Sequence, residues 1–299
     1  MVERIGAGNI TLEAALHADL LEFWFQPKVN LNQRKVCGVE MFARMRHPLH
    51  GTIPARPMLA GASSDSLRKL SLHAIKAARS AMSQLERLGA QFALTVNAPP
   101  RLVDSLLLVQ ALLTQSRPPE AQHRTILLDL QETSVLREPH IVRELSLLVS
   151  SSGIKLAVDD FGTQLRTMLR DRDTDDRRLS ILKETLATIR GIEMAEIKIN
   201  AGLVSGCSNN ERKAALCGHI VRLIRSIGST PAAVGLETYA DAEQIRLLGC
   251  EIGQGHYLGA PMPLNDLIQL FRTRATYLEQ GQSSTLGLPW RSLDHRSLR

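Results

Sequence analysis

Two adjacent aspartates, Asp159 and Asp160, follow the short run Lys155–Val158 and precede the residues Phe161 and Gly162. The run predicts a buried strand, so both carboxylates lie where that strand opens into a loop. Neighbouring carboxylates repel each other unless a cation lies between or beside them. The pair therefore indicates a cation site for Mg²⁺ or Mn²⁺, and two such ions bridged by carboxylates are a usual device for hydrolysing a phosphodiester.

Other polar residues stand near the ends of further predicted strands. They are Glu40, Asn97, Asp129, Lys198 and Gln254. One polar residue at a strand end is normally a helix cap or a plain strand end, but that reading does not account for the whole set. The carboxyl ends of parallel strands in an α/β barrel meet at one face, which carries the site. Oxygen donors without histidine or cysteine suit a hard divalent cation.

Predicted strands alternate with predicted helices along the chain. The strands cover 20–29, 35–45, 91–97, 125–130, 155–159, 194–199, 232–237 and 250–258. The helices cover 12–18 (capped by Thr11), 66–88, 101–115, 138–151, 210–227, 240–248 and a segment that starts near 264. Such alternation predicts a parallel sheet. About eight strands favour a closed (β/α)₈ barrel over an open sheet.

Composition narrows the class of protein. Of 299 residues, 44% are hydrophobic and 22% are charged, which is typical of a globular chain. No apolar run approaches the roughly 18 residues of a membrane span, and the N-terminus lacks the layout of a signal peptide, so we expect a cytoplasmic protein with no membrane partner. The four cysteines form no CxxC pair, so neither a zinc site nor a disulfide framework is expected.

The charge pattern bears on nucleic-acid binding. The net charge of +6 is scattered along the chain, aromatic residues make up only 4%, and no helix-turn-helix pattern is present. A solvated basic surface is the favoured interpretation, and direct DNA binding is not expected.

Six motifs, which include the double aspartate, carry a family resemblance. The segment FQPKVNLNQRKVCGVEMFARMRHPLHGTIPA resembles the opening of the EAL-domain family, the bacterial phosphodiesterases of cyclic di-GMP. The motifs LTVNAPP, LLDLQET, VDDFGT, IKIN and GLETYADAEQIRLLGCEIGQGHYLGAPMP follow in the family's order. The resemblance covers about 12–272 and implies a modified TIM barrel. We therefore expect one EAL-type domain over 1–272, with an insertion at about 164–190 and a mobile polar tail over 273–299.

The resemblance also implies roles for individual residues. The implied metal ligands are Glu40, Asn97, Asp129, Asp159 and, for a second metal, Asp160. The resemblance gives Lys198 the task of holding the attacking water, and Glu132 that of anchoring the loop after the double aspartate. The implied ligand-binding residues are Gln26, Arg44 and Gln254.

This chain departs from the family pattern at several of those places. Asp129 replaces a glutamate, which draws the carboxylate back by about one C–C bond, roughly 1.5 Å. Val234 replaces the glutamate that serves the metal and catalytic centre, and Glu237 matches only the second glutamate of that motif. Loss of a general base typically costs about 10²–10⁴ in rate. In the loop after the double aspartate, Gln164, Leu165 and Arg166 replace a glycine and small residues.

Three hypotheses follow. The first is a degenerate EAL-domain regulator with little or no phosphodiesterase activity. It binds cyclic di-GMP, a protein partner or both to control gene expression, as the virulence-gene repressors of the Bordetella kind do. The second is a slow Mg²⁺- or Mn²⁺-dependent phosphodiesterase that produces linear pGpG. The third is a repressor that binds DNA directly.

For some residues and segments, a second interpretation remains open. Lys198 could neutralise the neighbouring carboxylates without any metal, and Arg44 could be an ion-pair partner of Glu40. The segment 179–189 predicts a short amphipathic helix inside the insertion. That helix could dock a partner protein or a second copy in a homodimer, or it could pack back on its own barrel.

Overall fold

One sheet of ten strands contains the barrel. The computed structural model describes residues 11–47, 49–59, 61–89, 92–99, 106, 109, 125–150, 153–163, 165 and 175–279. The strands are β1 (Leu21–Asn30), β2 (Lys35–His47), β3 (Gly51–Pro54), β4 (Ala93–Asn97), β5 (Ile126–Gln131), β6 (Ile154–Phe161), β7 (Met194–Ile199), β8 (Thr230–Val234), β9 (Ile252–Gln254) and β10 (Met262–Pro263).

Eight of these strands close on themselves in the order β1, β2, β4, β5, β6, β7, β8, β9 and back to β1. The strands from β2 to β9 pair in parallel around this ring, whereas β1 runs antiparallel to both of its neighbours. Strands β3 and β10 extend the sheet outside the ring. The predicted closed α/β barrel of the modified kind is confirmed, and the reversed β1 is the modification.

Helices surround the barrel. They are α1 (Leu12–His17), α2 (Arg56–Leu59), α3 (Ser64–Glu86), α4 (Glu132–Arg137), α5 (Pro139–Val149), α6 (Asp175–Ile189), α7 (Ala201–Val204), α8 (Glu211–Ser226), α9 (Tyr239–Leu247) and α10 (Leu264–Glu279). Side-chain oxygens of Thr11, Ser63, Asn210 and Thr238 accept backbone N–H groups at the helix starts, as N-caps do. No helix in the described ranges is both long and apolar enough to pass through a bilayer.

Helix α6 is the predicted helix of the insertion, and it packs on its own barrel. Its residues Leu182, Leu186 and Ile189 are buried in the main hydrophobic core, together with barrel residues such as Leu156 and Ile197. These side chains supply the apolar face on which a docking role would depend. Most of the rest of the insertion lies outside the described residues.

Other predicted boundaries differ from those in the structure. The predicted strand 250–258 is shorter because the chain turns after Gln254, where the backbone N–H groups of Leu258 and Gly259 both bond to the carbonyl of Gly255. Helix α10 continues to Glu279, into the segment predicted as a mobile tail, and 280–299 lie outside the described residues. The same holds for nearly all of the predicted helix 101–115.

Candidate functional site

The side chains inside the barrel are largely polar. The parallel strands all finish at one end of the barrel, and we call this end the mouth. Strand register places Asn97 beside Asp129, Gln131 beside Asp159 and Val234 beside Gln254. Register partners in parallel strands face the same side of the sheet, and alternate residues face inward. Strands β4, β5, β8 and β9 therefore direct their final residues into the mouth, and β6 brings Asp159 there two residues before its end.

Lys198 lies at the centre of this mouth. Its ammonium nitrogen Nζ is 2.7 Å from Oε2 of Glu40, contacts Oδ2 of Asp129 and is 3.7 Å from Oδ1 of Asp159. The lysine side chain is 1% exposed, so bulk water does not solvate its ammonium group. We call Lys198 with the carboxylates of Glu40, Asp129, Asp159 and Asp160 the mouth cluster.

Burial and charge shift the pKa values within the mouth cluster. Burial raises the pKa of Asp129 well above its ordinary value and raises that of Asp159 too, although the Lys198 ammonium opposes both shifts. Burial also disfavours the charged forms of Glu40 and Lys198. Yet Lys198 holds the pKa of Glu40 below its usual range, and Asp129, Glu40 and Asp159 raise that of Lys198 well above its usual range. The cluster thus contains a firmly protonated lysine and an ionised Glu40.

The mouth cluster is joined to the first and last barrel strands by amides. Nε2 of Gln254 donates to Oε2 of Glu40 and to Oε1 of Gln26, both at 3.0 Å. Gln26 in turn donates to the carbonyl of Gly259 at 2.9 Å, and Asn97 donates to Oε1 of Glu40 at 3.1 Å. The predicted residues Gln26, Glu40, Asn97 and Gln254 therefore form one hydrogen-bonded group.

Glu132 bonds to the backbone of the loop after the double aspartate. Its two carboxylate oxygens accept the backbone N–H groups of Gly162 at 3.0 Å and Thr163 at 3.1 Å. The Thr163 hydroxyl donates to the carbonyl of Asp160 at 2.6 Å. Asp160 itself has a φ of +57°, in the left-handed region that costs a residue with a side chain about 1–2 kcal/mol. The loop is therefore held in one shape by these bonds.

Arg44 lies outside the mouth cluster, farther up the β1–β2 hairpin. Its guanidinium carbon is 5.7 Å from the centre of the Trp24 ring and 5.9 Å from that of Phe42, so both contacts are in cation–π range. In the structure Glu40 pairs with Lys198 and not with Arg44, so the Arg44–Glu40 ion pair considered above is not formed. Arg44 is partly exposed, and we call its place on the hairpin beyond Glu40 the rim of the mouth.

Val234 is the last residue of β8 and faces the mouth beside Gln254, as register requires. Glu237 is exposed and lies beyond the end of the strand. The position that the resemblance gives to a catalytic glutamate therefore presents a half-buried isopropyl group, which can neither bind a cation nor accept a proton.

A second layer of charge lies below the mouth cluster. Nζ of Lys28 is 2.5 and 2.6 Å from the two carboxylate oxygens of Glu196 and 3.3 Å from the hydroxyl of Thr95. Lys28 lies two residues after Gln26 on β1, and Glu196 lies two residues before Lys198 on β7. Sequence reasoning missed this pair, although strand alternation from Gln26 and Lys198 places both residues on the inner face.

The residues present fit a divalent cation in chemistry but not in arrangement. The donors are oxygens, and Oδ1 of Asp129 and Oε1 of Gln254 are buried without a hydrogen-bond partner, as atoms awaiting a ligand would be. Yet within the described part of the chain, no three carboxylate, imidazole or thiolate groups are placed to hold a metal ion together. Glu40 and Asp129 are instead directed to the Lys198 ammonium.

Comparisons with known proteins agree with this fold. The family model described as EAL domain matches residues 10–172 and 182–261. MucR of Pseudomonas aeruginosa, a bifunctional diguanylate cyclase/cyclic di-GMP phosphodiesterase, is 28% identical over 265 residues, which cover 86% of this chain and 35% of MucR. The cyclic di-GMP phosphodiesterase RocR of the same organism is 26% identical over 248 residues, which cover 81% of this chain and 57% of RocR. This chain thus spans only about a third to just over half of these relatives.

Solved structures give the same result. The PaMucR phosphodiesterase in complex with c-di-GMP is 27% identical with a TM-score of 0.66, and the match covers 86% of this chain and 97% of that one. The FimX EAL domain of Pseudomonas aeruginosa bound to c-di-GMP is 18% identical with a TM-score of 0.65, covering 84% of this chain and 94% of that one. The latter similarity concerns the fold alone.

Proposed function

We propose that this chain, which belongs to the EAL domain family, binds cyclic di-GMP at the barrel mouth and hydrolyses it at most slowly. The observation that carries the proposal is Val234, an apolar side chain at the mouth position where the family has a catalytic glutamate. The ligand-binding set of Gln26, Arg44 and Gln254 is retained around it. Binding without efficient turnover is the behaviour that this combination supports.

Binding of an anionic dinucleotide has a physical basis at the rim. Arg44 presents a planar fork of N–H donors that matches a phosphate in two places at once, which lysine cannot reproduce. Gln26 and Gln254 lie buried beneath the rim, and their amides bond to each other, to Glu40 and to the carbonyl of Gly259. The c-di-GMP complex of the related PaMucR phosphodiesterase supports this ligand for the same mouth in this chain.

Loss of turnover has two further supports besides Val234. Phosphodiesterases of this family depend on divalent metals, and the mouth cluster directs Glu40 and Asp129 to Lys198. The shorter Asp129 side chain also draws one oxygen donor back. We assign to Lys198 the part of the cation that organises these carboxylates.

We further propose that the protein acts as a regulator through this binding, with a protein partner or a second copy as the receiver of the signal. Control of gene expression, as by virulence-gene repressors, would follow through such a partner rather than through direct DNA contact. The scattered charge and the absence of a helix-turn-helix pattern in the sequence favour this order of events.

A slow phosphodiesterase is the second candidate. The retained double aspartate and Lys198 favour it, because they keep part of the family's catalytic set. In Mg²⁺ or Mn²⁺ we expect conversion of cyclic di-GMP to linear pGpG near the background rate, since Val234 cannot act as a base. Restoring the glutamate in Val234→Glu should recover little, because Asp129 and the altered loop remain. The assay is chromatography of the nucleotide products, and robust turnover by the unmodified chain would reject the proposal.

Ligand binding is tested by calorimetric titration with cyclic di-GMP, with Ca²⁺ in place of Mg²⁺ so that any turnover is stalled. We expect Arg44→Ala to weaken binding by about 1.5–3 kcal/mol, roughly 10- to 150-fold, the usual contribution of a hydrogen bond to a charged group. Arg44→Lys should recover only part of the loss, because the bidentate fork is missing.

The matched control is Arg225→Ala. Arg225 pairs with Glu251 at 2.9 Å, beside the start of β9 and therefore at the end of the barrel opposite the mouth. Its loss should leave the affinity unchanged. Equal affinities of the unmodified chain and Arg44→Ala, or no binding by the unmodified chain at high micromolar ligand, would contradict the proposal.

A further inference from the structure

Four side-chain amides donate hydrogen bonds to the carboxylates of the mouth cluster. Asn97 and Gln254 donate to Glu40, as described above. Gln131 Nε2 donates to Oδ2 of Asp159 at 2.9 Å, and Asn200 Nδ2 donates to Oδ1 of Asp160 at 3.1 Å. With the Lys198 ammonium on Asp129, each of the four carboxylates has a donor supplied by the chain itself.

The orientation of the Asn200 amide is fixed from both sides. Its oxygen Oδ1 accepts the backbone N–H of Gly202 at 2.8 Å, as the N-cap of α7. A flipped amide would place its NH₂ group against that N–H and its oxygen against the Asp160 carboxylate, so both contacts would be repulsive. The Asn200 backbone N–H also bonds to the carbonyl of Phe161 at 3.0 Å, which fixes the residue beside the aspartate loop.

Gln131 acts from the opposite side of the same loop. It is the last residue of β5 and is paired in register with Asp159, so its amide and that carboxylate face the same way. The next residue, Glu132, binds the loop backbone at Gly162 and Thr163. The two aspartates are thus enclosed between β5 and the start of α7.

We propose that Gln131 and Asn200 are positioning residues that hold Asp159 and Asp160 in place without a divalent cation. Adjacent carboxylates normally need a cation to relieve their repulsion, and here two N–H donors meet that need together with the Lys198 ammonium, 3.7 Å from Asp159. The mouth is therefore formed before any metal binds. The inference extends the proposed function, and only the part of its test that uses cyclic di-GMP rests on that function.

The test converts both donors into carboxylates in the nearly isosteric double variant Gln131→Glu/Asn200→Asp. The probe is Mn²⁺ alone, followed by its electron paramagnetic resonance signal and by the melting temperature in EDTA and in Mn²⁺. We expect the unmodified chain to melt at the same temperature in both buffers and to leave the free-ion signal unchanged. The double variant should melt lower in EDTA and lose free-ion signal on binding Mn²⁺. With Mn²⁺ at about 100 times its dissociation constant, melting should rise by about 4 °C.

A matched control makes the same chemical changes elsewhere. Gln84→Glu/Asn210→Asp alters an amide on the outer surface of α3 and the exposed N-cap of α8, where an aspartate caps equally well. We expect no Mn²⁺-dependent shift in this variant. A purely structural role for Gln131 and Asn200 would lower the melting temperature without creating any response to Mn²⁺.

Several results would overturn the proposal. One is tight Mn²⁺ binding by the unmodified chain that raises its melting temperature, which requires no variant to fold. Another is a double variant that matches the unmodified chain in EDTA, or one that stays equally destabilised with and without Mn²⁺. The single variants Gln131→Glu and Asn200→Asp provide the same comparison if the double variant does not fold.

The nucleotide arm separates this inference from the proposed function. We expect cyclic di-GMP to bind the unmodified chain with equal affinity in EDTA and in Ca²⁺. A strict need for Ca²⁺ would overturn the inference and leave the proposed function standing. Failure to bind in either buffer would reject the proposed function, and the Mn²⁺ experiment would still decide whether the two amides replace a cation.

Discussion

Replacing Lys198 with methionine is expected to lower the free energy of unfolding by about 3–5 kcal/mol, the usual loss when one partner of a buried ionic group is removed. Methionine keeps the length and apolar stem of the side chain, so packing changes little. The variant leaves Glu40 and Asp129 buried without their cation. Urea unfolding followed by circular dichroism measures the difference.

The control for this prediction is Lys183→Met, which removes an exposed lysine from α6 and should leave the urea midpoint unchanged. The double variant Asp129→Asn/Lys198→Met should regain part of the lost stability, because it removes one uncompensated charge together with the cation. The deficit should also shrink as the pH falls, since burial raises the pKa of Asp129 and its protonated form needs no cationic partner. A Lys198→Met variant as stable as the unmodified chain would show that the cluster does not need its ammonium.

Among the described glycines, Gly255 is the one where replacement by alanine is expected to be most disruptive. A Cβ atom at this position would lie 2.1 Å from the backbone oxygen of Leu236 and 2.3 Å from its backbone nitrogen. That backbone cannot move freely, because it bonds to the carbonyl of Gln254 and to the N–H of Tyr257, each at 3.1 Å. We expect a loss of about 3 kcal/mol or more, at or above the upper end for overpacking, and loss of ligand binding as Gln254 is displaced.

Gly228→Ala separates this clash from backbone strain. Gly228 has a φ of +81° and open space around it, so an alanine there should cost only about 1–2 kcal/mol for the left-handed conformation. Thermal unfolding and the calorimetric affinity for cyclic di-GMP measure both variants. The prediction would be contradicted if the melting temperature of Gly255→Ala equalled or exceeded that of Gly228→Ala and the variant still bound cyclic di-GMP.

The strand-end residues show what the sequence could predict. Periodicity located the strands, and the rule that parallel strands finish at one face was enough to bring Glu40, Asp129 and Lys198 together. The valine at 234 was visible as a departure as soon as the family motif was aligned with it. These predictions needed only the order of elements and the alternation of side chains.

Other contacts depend on register and on amide orientation, which the sequence does not state. Gln131 and Asn200 read as ordinary strand-end and helix-cap residues, and only the pairing of β5 with β6 places Gln131 against Asp159. Strand β9 was predicted too long because the close approach of Gly255 to the Leu236 backbone is a long-range contact. Local propensity cannot report such contacts.

The reversed strand β1 has a consequence for the order of folding. It pairs with β2 next to it in the chain, but its other neighbour in the ring is β9, more than two hundred residues later, and Gln26 of β1 bonds to Gln254 of β9. Contacts between such distant segments carry a high entropic cost of loop closure and form slowly. During synthesis β1 leaves the ribosome long before β9, so it cannot complete its pairing until β9 has emerged. A nascent chain that has not yet emerged through β9 therefore has no complete mouth, and competence to bind a ligand arises only when barrel closure is finished.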